Sequence, residues 1–304
     1  EDEEEDEEED EEEDEEEDEK GQLGGTSTNI ELTNYYVPSN FQKKGIFIGT
    51  QGNEFNKSLY NNYWIDCYLK NKKKNEDVLD YYAENFKILE INSNNIKGKS
   101  VNLYDKLNKL EKISILINFD KIKLNELIEI LFEFDKTAKD VKSKNEIIFI
   151  LKINEFNKIT EDKFNKIKND IKKFKNIKIL FELNNKFYDK LSIKDKEEYN
   201  YVLNELILKN NKLLNELIKK SELLYIKLNN NDTNKGTYGR EKLLEYKKII
   251  DNLKIKNNIN YIFGNSLTNI KNREINNEKK KLNKDDIPSS ISDAYNMILF
   301  YENI

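Results

Sequence analysis

Three features of the chain predict an α/β fold closed as a (β/α)8 TIM-like barrel, irregular around its sixth strand, behind a disordered acidic tail. Short β-branched runs alternate with longer stretches whose apolar residues recur every three or four positions, the pattern of strand and helix units feeding a parallel sheet. The 304 residues suit one such barrel, which typically takes ~250. Glu1 to Glu19 are without exception Asp or Glu, with Asp at every fourth position from Asp2 to Asp18. Dense like charge without apolar residues repels itself and cannot offset the entropy of ordering.

The tail runs into a flexible linker through Gly21, Gly24, Gly25, Thr26, Ser27 and Thr28, giving residues 1–28 as tail and linker and 45–304 as the barrel domain. The expected strands are Ile46 to Gly49, Ile88 to Asn92, Ile113 to Phe119, Ile147 to Ile153, Ile177 to Leu183, Leu223 to Leu228 and Tyr261 to Phe263. Helical spacing joins Val78, Leu79, Tyr82 and Phe86, then Leu124, Leu127, Ile128 and Leu131. It returns in Phe164, Ile167, Ile171 and Phe174, in Leu243, Leu244, Ile249, Ile250 and Leu253, and in Ile291, Ala294, Met297 and Ile298. Thr160 with Glu161 and Asp162 behind it, and Pro288-Ser289-Ser290, are expected helix starts. Asp195 to Lys220 reads as one or two helices hiding an eighth strand near Leu206 to Leu213, and residues 71–75 and 269–284 read as polar loops.

Removing the acidic tail leaves 39 of the 58 acidic residues against 51 Lys and Arg, so the body carries +12 although the whole chain carries −7. Such asymmetry can mark nucleic-acid or membrane-surface binding. The plainer reading is an A+T-rich coding sequence, which enriches Lys and Asn everywhere. The single cysteine, Cys67, excludes an internal disulfide and multi-cysteine metal sites, and suits a reducing compartment such as the cytoplasm. There is no histidine. Its absence removes Ser-His-Asp and Cys-His nucleophile systems, His-containing zinc sites and histidine as general base. No apolar run approaches the ~20 residues of a spanning helix, so no membrane partner is expected. Residue 1 is Glu rather than Met, so a targeting segment is not judged.

In parallel barrels ligands bind at the C-terminal strand ends, and residues two apart on a strand share a face. Polar pairs stand there in six places: Glu90 with Asn92, Asn118 with Asp120, Lys152 with Asn154, Glu182 with Asn184, Lys227 with Asn229, and Asn265 after Phe263. Strand ends are polar simply because they meet solvent, which accounts for the asparagines. Glu90, Lys152, Glu182 and Lys227 are different: each lies within an apolar run, where a charge needs a partner. Glu90 and Glu182 are the catalytic candidates, and Asn92, Lys152, Asn184, Lys227, Asn229 and Asn265 the ligand-binding ones.

Gly49-Thr50-Gln51-Gly52, Tyr81-Tyr82-Ala83-Glu84-Asn85-Phe86 leading into Leu89-Glu90-Ile91-Asn92-Ser93, and Phe181-Glu182 follow in order. After them come Leu224-Tyr225-Ile226-Lys227-Leu228, Ile262-Phe263-Gly264-Asn265 and Ser292-Asp293-Ala294. In order and spacing, from about Gly45 to Tyr301, this resembles a divergent member of the YecE-like proteins, the domain of unknown function 72. The resemblance implies a TIM-like barrel with a polar cavity at its mouth, in a family without an established general activity. Where that family shows Glu-Phe-Arg-His, this chain has Glu182-Leu183-Asn184-Asn185; where it shows Arg-Leu-His-Gly, this chain has Lys227-Leu228-Asn229-Asn230. The family's paired asparagines survive as Gly264-Asn265, and its tryptophan after the first strand is Asn53. Lys227 keeps a positive charge without a guanidinium's bidentate fork.

Two functions are therefore carried forward. One is a degenerate ligand-binding or scaffold barrel, which the missing Arg and His favour. The other is an enzyme acting on a phosphorylated or nucleic-acid substrate, of hydrolase or isomerase type, with Glu90 or Glu182 as base or oxygen ligand and Lys152 and Lys227 as phosphate contacts. No cofactor is expected, although Mg²⁺ fits the second reading. The tail either mimics a polyanion over the basic body or is a solvated extension whose protein partner the sequence does not name. The remaining motifs are weak. Gly45, Gly49 and Gly52 lack a phosphate loop's Lys-Ser/Thr ending. Lys235 to Arg240 could turn N–H groups toward an anion, and Trp64 with Tyr60 and Tyr63 reads as packing.

Overall fold

Runs of Ile, Leu and Phe that show no alternation belong to strands buried on both faces, and eight of them close here into one all-parallel barrel, each strand hydrogen-bonded to the next in sequence and the last to the first. The computed structural model describes residues 45–52, 82–83, 86–92, 96–140, 145–155, 157–219, 223–229, 238–253, 258–264 and 289–302, all within the unit Tyr36–Ile304. The acidic tail and linker, Trp64 with its tyrosines, Cys67, residues 71–75, Val78, Leu79, residues 235–237, Asn265 and residues 269–284 lie outside the described residues.

The strands are β1 (Ile46–Gly52), β2 (Ile88–Asn92), β3 (Lys112–Asn118), β4 (Glu146–Ile153), β5 (Lys178–Leu183), β6 (Asn200–Leu203), β7 (Leu223–Asn229) and β8 (Asn258–Gly264). The described helices are α1 (Ser100–Lys106), α2 (Leu124–Asp140), α3 (Lys158–Ile171), α4 (Asn185–Tyr188), α5 (Ile193–Glu198), α6 (Glu205–Lys209), α7 (Asn211–Ile218), α8 (Arg240–Asn252) and α9 (Ser289–Glu302). Of the expected stripes, Leu127 and Leu131 of α2 and Phe164, Ile167 and Ile171 of α3 are buried; Leu124 and Ile128 are only half-buried, and Ile130 and Phe134 complete the buried face of α2. Phe134 meets Phe149 edge-on at 5.2 Å, and Phe164 meets Phe181 at 4.8 Å.

Two sequence expectations are corrected. The sixth strand is Asn200–Leu203, not a segment near Leu206 to Leu213, which forms α6 and α7. Asn204 and Asn210 cap these two helices with their side-chain oxygens. Four residues are too few to show a period, and only the barrel's closure reveals them as a strand. Likewise α3 begins at Lys158, because Asn157 Oδ1 accepts the Thr160 N–H at 2.9 Å and its hydroxyl at 3.1 Å. Thr160 is thus in the first turn and not the cap.

Inside the barrel, side chains of one parity stack in layers. Ile88, Leu116, Ile148, Ile150, Leu180, Val202, Leu223, Tyr225 and Ile262 form the central core, with Phe47 packed against it. Toward the N-terminal strand ends, Lys112 pairs with Glu146 at 2.7 Å and lies 4.0 Å from the centre of the Phe47 ring. This end is plugged by an ion pair and an aromatic ring.

Between β1 and β2 the backbones come close. The Tyr82 hydroxyl accepts the Thr50 N–H at 2.9 Å and donates to the Ile88 carbonyl at 2.8 Å. A Cβ at Gly49 would stand 1.8 Å from that same carbonyl oxygen. Gly49→Ala is therefore expected to cost about 1–3 kcal/mol or more, because the obstacle is backbone that cannot rotate away. Urea denaturation of the variant checks this; an unchanged midpoint would contradict the close approach.

Candidate functional site

Register carries four charged side chains to the same end of the barrel. Glu90 on β2 is paired with Ser114 on β3, and Lys152 on β4 with Glu182 on β5. Lys227 stands on β7, two residues beyond the core residue Tyr225 and on the same face. The Lys227 ammonium lies 2.8 Å from Glu90 Oε1 and 3.0 Å from Glu182 Oε2, clamping the two carboxylates. Lys152 approaches Glu182 Oε1 at 3.9 Å.

Below the clamp, the Tyr225 hydroxyl is 2.9 Å from Glu90 Oε2 and 2.7 Å from Ser114 Oγ. A phenol has one proton, and the carboxylate is the stronger acceptor, so Tyr225 donates to Glu90 and the Ser114 hydroxyl is free to rotate its own proton toward the phenol. Ser114, Tyr225, Glu90, Lys227 and Glu182 thereby form one continuous polar chain through the barrel.

Burial sorts these groups into two classes. The side chains of Glu90 and Lys227 are 0% and 3% exposed, while those of Glu182 and Lys152 are 17% and 40% exposed. Complete burial pushes the Glu90 carboxyl above its ordinary value despite the attraction of Lys227. Burial acts to lower Lys227, but the carboxylates of Glu182 and Glu90 prevail and hold its ammonium above the usual range. Burial also raises the Tyr225 phenol well above its ordinary value, with the Glu90 charge adding to the effect.

Over this floor opens a cavity of about 300 Å³, lined by Lys152, Ile153, Asn154, Glu182, Leu183, Asn184 and Asn204. Its walls are the ends of β4, β5 and β6. Asn154 is fixed twice: its side-chain N–H donates to Asn118 Oδ1 at 3.1 Å, and its backbone N–H donates to Asp120 Oδ2 at 2.8 Å. Asp120 also accepts the Glu155 N–H at 3.3 Å. Asn184 is exposed and stands at the start of α4, with no side-chain capping bond.

The sequence candidates thus separate. Glu90, Lys152, Glu182 and Lys227 converge, and Asn184 joins them at the cavity. Lys152 is not the enclosed charge that its apolar flanks suggest, since it ends half in solvent. Asn229 lies apart, with its Oδ1 buried against Gly264, where a Cβ would come within 1.9 Å of it. The Asn92 backbone ends β2, its side chain lies outside the description, and Asn265 lies outside the described residues. Sequence reasoning missed Ser114, Tyr225 and Asn204. Ser114 is the lone hydroxyl in an Ile-Leu run and Tyr225 is two residues from Lys227, signals that the face rule holds; Asn204 was hidden by the misplaced sixth strand.

Fold and site define a parallel (β/α)8 barrel with a charged floor beneath an amide-lined mouth. No family model and no curated protein matches the chain. Among solved structures it is similar to D-psicose 3-epimerase, crystallised in the presence of D-fructose, with a TM-score of 0.47 and 13% identity over 84% of this chain and 99% of that one. Among the described residues no helix is long and apolar enough to cross a membrane, and no three His, Cys, Asp or Glu side chains are grouped to hold a metal ion.

Proposed function

We propose that this chain is a divergent YecE-like barrel that binds a small polar molecule at the C-terminal ends of β4, β5 and β6, with Glu182 as its central contact. The observation that carries this reading is the division of labour between the two carboxylates. Glu90 is sealed under Lys227, whereas Glu182 offers Lys227 one oxygen and directs the other, Oε1, toward the Lys152 side of the cavity. Glu90 and Lys227 are therefore positioning groups that hold Glu182 in place. The ordered motifs from Gly49 to Asp293 support the family assignment, and the lost Arg and His support a binding role over an inherited reaction.

A second reading, an enzyme, is favoured by the Glu182 and Lys152 pair, a base and an acid side by side at the cavity wall. Both readings place the ligand at one spot. Thermal-shift measurements with metals, nucleotides, sugars, sugar phosphates and short nucleic acids test it. A ligand that raises the melting temperature of the parent chain is expected to lose its effect in Glu182→Gln and Lys152→Ala. A shift of undiminished size in both variants would contradict the proposed site.

A further inference from the structure

The chemistry of the cavity wall restricts what can bind there. A phosphate group presents acceptors and negative charge, and asks for a wall of donors with surplus positive charge. An ammonium group asks for the reverse. The wall here offers neither. Its ionised lining groups among the described residues are Lys152 and Glu182, one of each sign. The Lys227 ammonium, the apparent second cation for a phosphate, is 3% exposed and already held by two carboxylates. Asp120, fixed under the Asn154 backbone, adds negative charge at the same edge.

Beside the apolar Ile153 and Leu183, the neutral polar lining groups are amides, each a donor at nitrogen and an acceptor at oxygen. Asn154 gives one of its two amide protons to Asn118 Oδ1, and its own oxygen is an acceptor. Asn184, without a capping bond, has both functions. Donors and acceptors therefore stand together on the wall: the Lys152 ammonium and the Asn184 amide nitrogen on one side of the balance, the Glu182 carboxylate and the amide oxygens of Asn154 and Asn184 on the other. A hydroxyl group is the ligand function that donates and accepts at once, and several adjacent hydroxyls would match such a mixed wall. About 300 Å³ lies at the small end of ligand sites and suits one small molecule. Among the described residues no aromatic side chain lines the cavity to stack on a base.

We infer that the mouth takes an uncharged polyhydroxylated small molecule, a sugar or sugar alcohol without a phosphate, with two of its hydroxyls on Glu182 and Lys152. This rests on the mouth being the binding site, as proposed above. The test is saturation-transfer NMR followed by calorimetric titration of the full chain at 150 mM salt. The probes are glucose, ribose, sorbitol and myo-inositol, beside glucose 6-phosphate and ribose 5-phosphate.

At least one neutral probe is expected to bind, with its phosphate ester about tenfold weaker or more where both are compared. Glu182→Gln and Asn184→Ala are each expected to weaken that binding by about tenfold, since a charged or amide hydrogen bond to the ligand is lost. Asn169→Ala, on the outer helices, is expected to leave it unchanged. If a phosphate ester binds tighter than its parent sugar and Glu182→Gln abolishes that binding, the ligand class is overturned and the site stands. If a neutral probe binds equally well to Glu182→Gln and Asn184→Ala, the site itself is overturned. If none of the neutral probes binds, the inference about ligand class fails.

Discussion

Lys227→Met is expected to lower the stability of the barrel by about 3–5 kcal/mol, the usual penalty for removing one partner of a buried ion pair. The ammonium lies between Glu90 and Glu182 at 2.8 and 3.0 Å. Without it, a wholly buried carboxylate keeps only the Tyr225 hydroxyl, and a second carboxylate faces it across the gap. Glu90 already resists ionisation because of its burial, so in the variant it will take up a proton more readily. The loss should therefore be larger at pH 8 than at pH 5. Adding Glu90→Gln removes the orphaned charge and keeps an acceptor for Tyr225, so the double variant should recover part of the loss. Urea denaturation gives the cycle, whose coupling should exceed about 1 kcal/mol. A Lys227→Met chain within 1 kcal/mol of the parent would show that the clamp contributes little.

The second large effect is one of pH. Asp293 on α9 is buried, and the Tyr238 backbone N–H reaches its two oxygens at 3.1 and 3.2 Å. Burial outweighs this hydrogen bond and raises the carboxyl from 3.8 to about 8. Between those values the folded chain holds a proton that the unfolded chain has released. Stability therefore falls as pH rises from about 4 to 8 and levels off above the folded value, a total on the order of several kcal/mol at ~1.4 per pH unit. Asn in place of Asp293 keeps an acceptor for Tyr238 and has no charge to bury. Asp293→Asn should match the parent near pH 4, flatten its decline, and exceed its stability at pH 9. Parallel pH profiles for the two proteins would rule this out.

The fold was legible because parallel strands covered on both faces are long apolar runs with polar ends. Seven strands stand within one to three residues of their expected positions. The sixth was not legible, because Asn200–Leu203 is short and its neighbours Leu206 to Leu213 are equally apolar. The site was legible in part for a related reason. Glu90, Lys152, Glu182 and Lys227 interrupt apolar runs, and burying an unpaired charge is unfavourable, so the sequence implies that such residues find each other. It does not say who pairs with whom. Register alone puts Lys227 between Glu90 and Glu182, sealing two of the four candidates under the floor and leaving Glu182 and Lys152 at the surface of the cavity. The asparagines gave no comparable signal, since Asn is common throughout the chain.

A second hollow, about 900 Å³ between α2 and α3 and lined by Leu124, Asn125, Ile128, Asp162, Asn165, Lys166, Asn169 and Asp170, lies outside the barrel. It provides the comparison for the measurement that bears most directly on the central claim. Parent chain, Glu182→Gln and Asn169→Ala would be titrated calorimetrically with the strongest ligand found in the thermal-shift series. Binding lost in Glu182→Gln and retained in Asn169→Ala is the predicted result and fixes the mouth as the working site. Binding retained in Glu182→Gln and lost in Asn169→Ala would move the site to the outer helices and contradict the account.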